Sequence, residues 1–278
     1  MIVDSGTVTF LLAPCGTAPP AAWYLQLRGP HHLGLVKVGK RVYNRGAVIY
    51  FSLFGVQVKI HPSTWVTLSL MAYLLCGGEQ GMLGMALFVV AGFLCIFAHE
   101  MGHAMAGRWL GACRPVVDME WLGGSCTNNV CNLSRTKLIM TALAGPLTSM
   151  ALVLPVLVWM MCSYGDADGA VWRLWALVCG IVPASMFEFC PPMIVLFCTY
   201  MVQVAVWWSL LNLLPIYPLD GGVVLYHLLH APRLLHLISM AVGGVLSLFF
   251  IYYGLYAMFF ILLYLIFINY HGLKHSPY

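Results

Sequence analysis

The sequence predicts an all-α polytopic membrane protein with about six transmembrane helices and short membrane-associated β segments. Two observations lead to this prediction. Of the 278 residues, 62% are hydrophobic and only 8% are charged, whereas about a quarter of a soluble domain is charged. The apolar residues also gather in runs close to the ~20 residues that a helix needs to cross a bilayer.

Six of these apolar runs are assigned to spans. In chain order they cover residues 63–77, 82–106, 137–162, 193–220, 236–254 and 256–271. A further apolar stretch, 171–190, contains Pro183 and Glu188 and runs up to the pair Pro191-Pro192. We therefore expect this stretch to be a hairpin or an interfacial helix on the outer side, and a seventh span is the alternative.

Lysines and arginines set the orientation, because cytoplasmic loops are enriched in them. Six lie between Arg28 and Lys59, whereas the link after the first run carries only an acid, Glu79. We therefore expect both termini in the cytoplasm. The resulting organisation is a loosely ordered extension at 1–45, a membrane domain at 46–271 and a tail at 272–278. The first 27 residues contain no lysine or arginine, which makes a poor secretory signal. From this and the size of the chain, the expected location is a bacterial inner membrane, with an organelle membrane as the alternative.

A short motif near the end of the second run indicates metal chemistry. The pattern HExxH at residues 99–103 places His99 and His103 on one side of a helix, where both imidazoles can bind one metal ion. Glu100 between them is close enough to act on a metal-bound water. In soluble proteins this pattern is a zinc hydrolase signature, yet residues 82–98 before it carry no charge. The combination indicates peptide-bond hydrolysis inside a bilayer.

Catalytic zinc usually has three protein ligands, so a third must come from elsewhere. Acids near membrane spans are functional candidates, and besides Glu100 these are Glu79, Glu188 and Asp220. The expected topology puts only Asp220 at the depth of the histidines. It lies in NLLPIYPLDGG, residues 212–222, whose prolines and glycines predict an unwound segment in a hydrated pocket. The alternative is a proline-kinked helix whose Asp220 lies just beyond the bilayer.

Other polar residues have less specific interpretations. Cys113, Cys126 and Cys131 share one loop, but their spacing matches no zinc pattern, so plain thiols are favoured over a second metal site. His61, before a proline, is interpreted as an interfacial anchor, with a stray metal ligand as the alternative. The residues after Asp220 are predicted to form a cytoplasmic loop. This loop would carry His227, His230, Arg233 and His236. No basic patch with interleaved aromatic residues indicates nucleic acid as a partner.

The motifs, taken in order, resemble those of the site-2 protease family of intramembrane zinc proteases, in its compact form without a PDZ or CBS domain. HEMGH in one span is followed by AGPL at residues 144–147, as in the family, and then by a segment that resembles the family's NxxPxxxLDGG motif at 212–222. The glycine pair 123–124 and the stretch 52–65 that leads into the first span also resemble family features. The resemblance covers about residues 50–270.

This resemblance implies a three-helix catalytic core and one zinc ion on His99, His103 and Asp220. Glu100 is then the general base that later returns a proton to the leaving amine. Asn212 corresponds to the family's asparagine and is expected to hydrogen-bond the oxyanion or the substrate backbone, with a helix–helix hydrogen bond as the alternative. The implied partners are the lipid bilayer, a transmembrane or membrane-tethered substrate cleaved near the cytoplasmic side, and either a regulatory membrane protein or a second copy.

A substrate helix must unwind before cleavage, because its peptide bonds lie within its own hydrogen bonds. An exposed strand edge would help by pairing with the unwound segment. Residues 116–125 and the alternating Val56, Val58 and Ile60 are the candidates for such edges. A plain loop and an ordinary strand are the alternatives.

Two rival functions follow from the same features. One is a different membrane zinc protease with a glutamate as third ligand, but the sequence offers no such glutamate. The other is a membrane transporter or a proteolytically inactive binding protein, since a broken helix with an intramembrane acid also suits transport. Glu100 discriminates between them, because transport does not require a glutamate in HExxH.

Overall fold

The computed structural model describes residues 24–28, 33–37, 48–76, 81–121, 123–129, 133–164, 167–181 and 191–275. The chain divides into two compact units, Met1–Val48 and Ile49–Tyr278. In the first unit, strands β1 (Tyr24–Arg28) and β2 (Leu33–Lys37) pair antiparallel. The remaining residues of the expected extension, 1–45, lie outside the described residues.

The second unit is helical with one small sheet, which confirms the predicted fold class of an all-α polytopic membrane protein. Its strands are β3 (Ile49–Leu53), β4 (Val56–Ile60), β5 (Cys113–Glu120) and β6 (Gly123–Asn129). Its helices are α1 (Pro62–Cys76), α2 (Gly81–Leu110), α3 (Arg135–Ala151), α4 (Val153–Tyr164), α5 (Ala167–Val178), α6 (Pro192–Asn212), α7 (Asp220–Leu229), α8 (Pro232–Tyr252) and α9 (Tyr256–His275).

Helix accounts for most of each of the six predicted spans. The fourth, 193–220, contains the non-helical residues 213–219, and residue 77 of the first lies outside the described residues. Within the described residues, four helical segments are long and apolar enough to cross a membrane. They are Gly81–Leu110, Arg135–Cys162, Pro192–Asn212 and Pro232–Tyr252. The first predicted span corresponds to α1, which has 15 residues, and the last to α9, whose apolar part is the shorter Met258–Lys274.

The stretch 171–190 enters α5, which has 12 residues. At ~1.5 Å per residue such a helix is about 18 Å long, well short of the ~30 Å hydrocarbon core. It ends before Gly180, whose φ of +81° takes the chain out of helical geometry. The described part of this stretch thus favours a short packed helix over a seventh span, and residues 182–190 lie outside the described residues.

Helices α2, α3 and α6 pack against one another and form the centre of the second unit. Small residues allow the close approach of α2 and α3. Gly102 of α2, for example, lies directly against Ala144 and Thr148 of α3. This arrangement brings the HExxH residues of α2 face to face with the AGPL residues of α3.

The four-stranded sheet has the order β3-β4-β5-β6. Strands β4 and β5 are parallel, with Lys59 opposite Asp118, and the other pairs are antiparallel. Successive side chains of a strand face opposite sides, and the buried Val58 and Val117 belong to the face that packs with residues of α2. The sheet thereby covers the cytoplasmic end that we predicted for α2.

The prediction of a loop after Asp220 is wrong. Residues 220–229 form α7, and α8 already begins at Pro232. Arg233 and His236 are therefore helical, and His236 is only 9% exposed. The sequence indicated a surface because histidines are polar, whereas in the structure α9 packs along α8 and covers His236.

Candidate metal centre and active site

The two HExxH histidines lie on one face of α2. His99 and His103 are one helical turn apart, with ring centroids 4.8 Å from each other. Both are buried, with exposed fractions of 2% and 8%. An imidazole pair at this spacing is the arrangement that binds a single metal ion on a helix.

Asp220 joins these histidines from a distant part of the chain. Helix α6 ends at Asn212, residues 213–219 are not helical, and Asp220 is the first residue of α7. Its Oδ2 lies 3.0 Å from His99 Nε2 and its Oδ1 lies 3.3 Å from His103 Nε2. The structure thus brings together the three side chains predicted as ligands, with donor atoms all within 4.8 Å of one another.

Hydrogen bonds fix the other nitrogen of each ring. His103 Nδ1 donates to the carbonyl oxygen of Thr141 over 2.8 Å, and His99 Nδ1 lies 3.2 Å from the Ser149 hydroxyl. Ser149 is held in turn by the Ser209 hydroxyl at 2.8 Å. Metal-binding histidines typically donate their second nitrogen in this way, which orients the ring and fixes its tautomer.

These hydrogen bonds determine which atoms of the two rings are free to bind a zinc ion. The carbonyl of Thr141 makes His103 Nδ1 a donor. Ser149 donates its own proton to the carbonyl of Gly145, which leaves its oxygen able to accept from His99 Nδ1. In that tautomer, neutral rings present bare Nε2 lone pairs to the carboxylate of Asp220. Two lone pairs and an anion facing one another are stable only with positive charge between them, supplied by a cation or by protons on Nε2. Two imidazoles and one carboxylate are a ligand set that catalytic zinc uses, so the residues fit the ion.

Close approaches of glycine shape the site. Gly145 of α3 lies so near the His103 ring that a β-carbon there would collide with Nε2 and Cε1. Gly124 of β6 lies in the same way against the side chain of Glu100. Only glycine lets the backbone approach this closely. Gly145 is therefore the point where α3 contacts His103, and Gly124 is the point where β6 contacts Glu100.

Glu100 is buried, with an exposed fraction of 6%. It is close enough to His103 and Asp220 for their charges to act on it. Strand β6 covers it on one side through Gly124. A carboxylate next to His99 in the motif, within range of the charges of His103 and Asp220 and shielded from bulk water, is suited to exchange a proton with a molecule bound at the site.

Asn212 does not join this group through any hydrogen bond described in the structure. Its Nδ2 donates to the carbonyl oxygen of Trp208, 2.9 Å away on the same helix. This bond is neither the predicted contact to an oxyanion nor a helix–helix hydrogen bond. Asn212 is partly buried at the last turn of α6, immediately before the unwound segment.

A second polar cluster surrounds His61. Its Nε2 lies 2.9 Å from Asp118 Oδ1 and 3.2 Å from Glu120 Oε1, and these atoms are close enough to hold a metal ion. Lys59 Nζ is 3.6 Å from the other oxygen of Asp118. The Lys59 ammonium neutralises one of the two carboxylates, and this row of polar side chains joins β4 to β5 on the face away from α2.

Of the cysteine loop, only the side chain of Cys126 is among the described residues, and it belongs to neither cluster. Burial, reinforced by the charge of Glu100, raises the pKa of Cys126 to about 12. The thiolate is the form that binds metals, so Cys126 is a poor ligand at neutral pH. The side chain of Cys113 and the whole of Cys131 lie outside the described residues.

Sequence reasoning missed the residues that orient the histidines. Ser149 and Ser209 are hydroxyl residues inside predicted spans, and that is the only signal that the sequence offers for them. Thr141 acts through its backbone carbonyl, for which the sequence offers no signal. Their role depends on which helix faces which, because each touches a residue far away in the chain. Hydroxyl groups in spans usually bond their own helix, as Ser209 also does to Ala205.

Comparison with known proteins is informative at the level of the fold. No model of a known protein family matches the chain, and no curated protein sequence does. Among solved structures, a site-2 protease from Methanocaldococcus jannaschii has the same fold, with a TM-score of 0.51 at 16% sequence identity. The match covers 83% of this chain and 97% of that chain. At this identity the likeness is one of fold.

Proposed function

We propose that this chain is an intramembrane zinc metalloprotease of the site-2 protease family. It hydrolyses peptide bonds of transmembrane or membrane-tethered proteins near the cytoplasmic side. The observation that carries the proposal is the convergence of His99, His103 and Asp220 beside Glu100, deep in an apolar helix. The shared fold with a site-2 protease supports it independently.

The chemistry assigns a separate role to each residue. His99, His103 and Asp220 would hold the zinc ion, which would supply Lewis acidity toward a water molecule and the scissile carbonyl. The carboxylate of Glu100 takes a proton from the attacking water and then gives it to the leaving amine. The hydrogen bonds from the rings to Thr141 and Ser149 keep both Nε2 atoms aimed at one point. Burial excludes competing bulk water.

The protein is an integral membrane protein, and the proposal places it in a bacterial inner membrane with both termini in the cytoplasm. Its partners are then the surrounding lipid, a transmembrane substrate, and a regulatory membrane protein or a second copy. The rival is a transporter or an inactive binding protein of the same fold. Glu100, which transport does not need, favours the protease.

Zinc removal tests the proposal directly. We expect the full-length chain, purified in detergent, to hold about one zinc ion and to cleave at least one of a panel of single-span substrates. Chelation should abolish cleavage and added zinc should restore it, because the ion activates the attacking water. Metal analysis and gel assays measure the two effects. A preparation that contains no zinc, or that cleaves equally well after chelation, would contradict the proposal.

The candidate edges named from the sequence, residues 116–125 and Val56, Val58 and Ile60, lie largely on β5 and β4, which are paired on both sides within the described sheet. Strand β6, which includes residues 123–125, is therefore the surface proposed to receive the unwound substrate. It is one edge of the described sheet, and its Gly124 lies against Glu100. An unpaired strand edge offers backbone donors and acceptors to an extended peptide. A substrate strand paired there would lie beside the proposed general base.

Photo-crosslinking tests whether substrate binds along the β6 edge. A photoreactive residue at Thr127, exposed on β6, is expected to capture substrate in a Glu100→Gln background. The matched control is the same residue at Tyr50, which is 54% exposed on β3 at the opposite edge of the sheet. Crosslinks at Tyr50 as frequent as at Thr127 would rule out β6 as the docking edge.

A further inference from the structure

The hairpin of α8 and α9 carries buried polar side chains that the proposed chemistry does not use. Ser239 and Asn269 are fully buried, and His236 is nearly so. Polar groups within membrane helices are costly unless they have partners. The partners here lie mainly in the unwound segment 213–219, which precedes Asp220.

Three hydrogen bonds join the hairpin to that segment. The hydroxyl of Ser239 accepts a hydrogen bond from the backbone nitrogen of Tyr217 over 3.0 Å and donates to the carbonyl of Pro215 over 3.5 Å. Asn269 Nδ2 donates to the carbonyl of Tyr217. Both backbone groups of Tyr217 are thereby satisfied by side chains from two different helices.

Asn269 is itself held in place by its neighbours. Its Nδ2 also donates to the carbonyl of Leu265 over 2.9 Å, and its Oδ1 lies 2.9 Å from His236 Nδ1, which donates to it. The ring of His236 meets the Tyr217 ring edge-on, with centroids 5.9 Å apart. The Asn269 amide is therefore held in one orientation by α8 and α9 themselves, in addition to its hydrogen bond to the unwound segment.

The need for these bonds follows from the sequence. Pro215 and Pro218 have no backbone N–H, so α6 cannot continue through them. Backbone groups freed in this way at membrane depth must find other partners. The side chain of Ile216, fully buried against Leu262 and Leu265, adds an apolar anchor to the same hairpin.

We propose that Ser239 and Asn269 are positioning residues that set the place of Asp220 in the metal site. Only two residues separate Tyr217 from Asp220, so fixing the Tyr217 backbone fixes the origin of α7 and the direction of its first carboxylate. Helices α8 and α9 thus influence the metal site through the unwound segment, although neither helix supplies a proposed ligand. This inference rests on the proposed function, because it assumes that Asp220 is a zinc ligand.

The inference is tested by measuring the zinc affinity of the purified full-length protein and of its variants Ser239→Ala, Ser239→Thr and Asn269→Leu. Loss of a direct hydrogen-bond partner of a metal ligand typically weakens binding about 10- to 100-fold. Ser239 and Asn269 act through the backbone of Tyr217, so we expect the lower end, about 10-fold, for Ser239→Ala and Asn269→Leu. Ser239→Thr keeps the hydroxyl and should keep the affinity. Saturating zinc should restore cleavage to the Ala and Leu variants, a rescue that a general packing defect would not show.

The matched control is Ser247→Ala. Ser247 is a buried hydroxyl on α8 whose described hydrogen bond goes to its own helix, at Gly243, so its loss should leave zinc affinity unchanged. Affinities equal to wild type in Ser239→Ala would overturn the inference, and so would equal losses in Ser247→Ala. If Asn269→Leu fails to fold, the comparison of Ser239→Ala with Ser239→Thr tests the inference without it. A wild-type protein without zinc would instead refute the proposed function.

Discussion

Replacing Glu100 with glutamine is expected to abolish peptide cleavage while zinc stays bound. The amide keeps the shape of the side chain but cannot accept the proton of the attacking water. General base catalysis contributes typically about 10²- to 10⁴-fold, and Glu100 is proposed also to protonate the leaving amine. We therefore expect cleavage to fall by at least about 10³-fold, with zinc content equal to wild type, as measured by timed cleavage and metal analysis.

Glu120→Gln is the matched control for this change. Glu120 is a glutamate of β5 that contacts His61 on the face away from α2, so its loss should leave cleavage near the wild-type rate. The comparison separates loss of a particular proton acceptor from the general effect of replacing one glutamate of the membrane domain by glutamine. Undiminished cleavage in Glu100→Gln would refute the assignment of the general base and revive the reading of the chain as a transporter or binding protein.

The helices of the membrane domain could be predicted because the bilayer fixes their length and composition. The second run was predicted at 82–106 and is found at Gly81–Leu110. The fifth was predicted at 236–254 and is found at Pro232–Tyr252. Each boundary depends on the local sequence alone, so no knowledge of the neighbouring helices was needed.

The convergence of the histidines and Asp220 was predictable for a related reason. The spacing of the HExxH motif sets the ring geometry on a single helix. The prolines before Asp220 forbid a continuous helix, and the structure ends α6 at Asn212. Both are short-range effects, and the expected topology then placed the two stretches at the same depth.

Features that depend on which surfaces meet could not be predicted. The parallel pairing of Lys59 with Asp118 joins strands separated in the chain by two helices. The burial of His236 depends on Asn269 and Gly272 of α9. The hydrogen bond from His103 to Thr141 likewise depends on how α3 lies along α2. Composition and periodicity contain no information on such contacts.

A branched side chain at Gly145 is expected to destroy the metal site from a position that is not itself a ligand. In Gly145→Val the new side chain would occupy the space of the His103 ring, which already lies within collision distance of a β-carbon there. Either the ring turns away from Asp220 or α3 moves off α2, and one donor is lost in both cases. We expect zinc affinity to fall by about 100-fold or more, the upper end of effects seen for residues behind the ligands.

Gly244→Val gives the matched comparison, because the same residue type then changes inside a membrane helix with open space around it. A β-carbon at Gly244 of α8 meets nothing within 4 Å, so any general cost of valine in a helix appears in both variants. Zinc affinity by chelator competition and cleavage at saturating zinc should fall in Gly145→Val alone. The intermediate Gly145→Ala should lie between Gly145→Val and wild type, since the collision begins with the β-carbon and grows with branching. Equal zinc affinity in the two valine variants would show that the contact between α3 and His103 does not control the site.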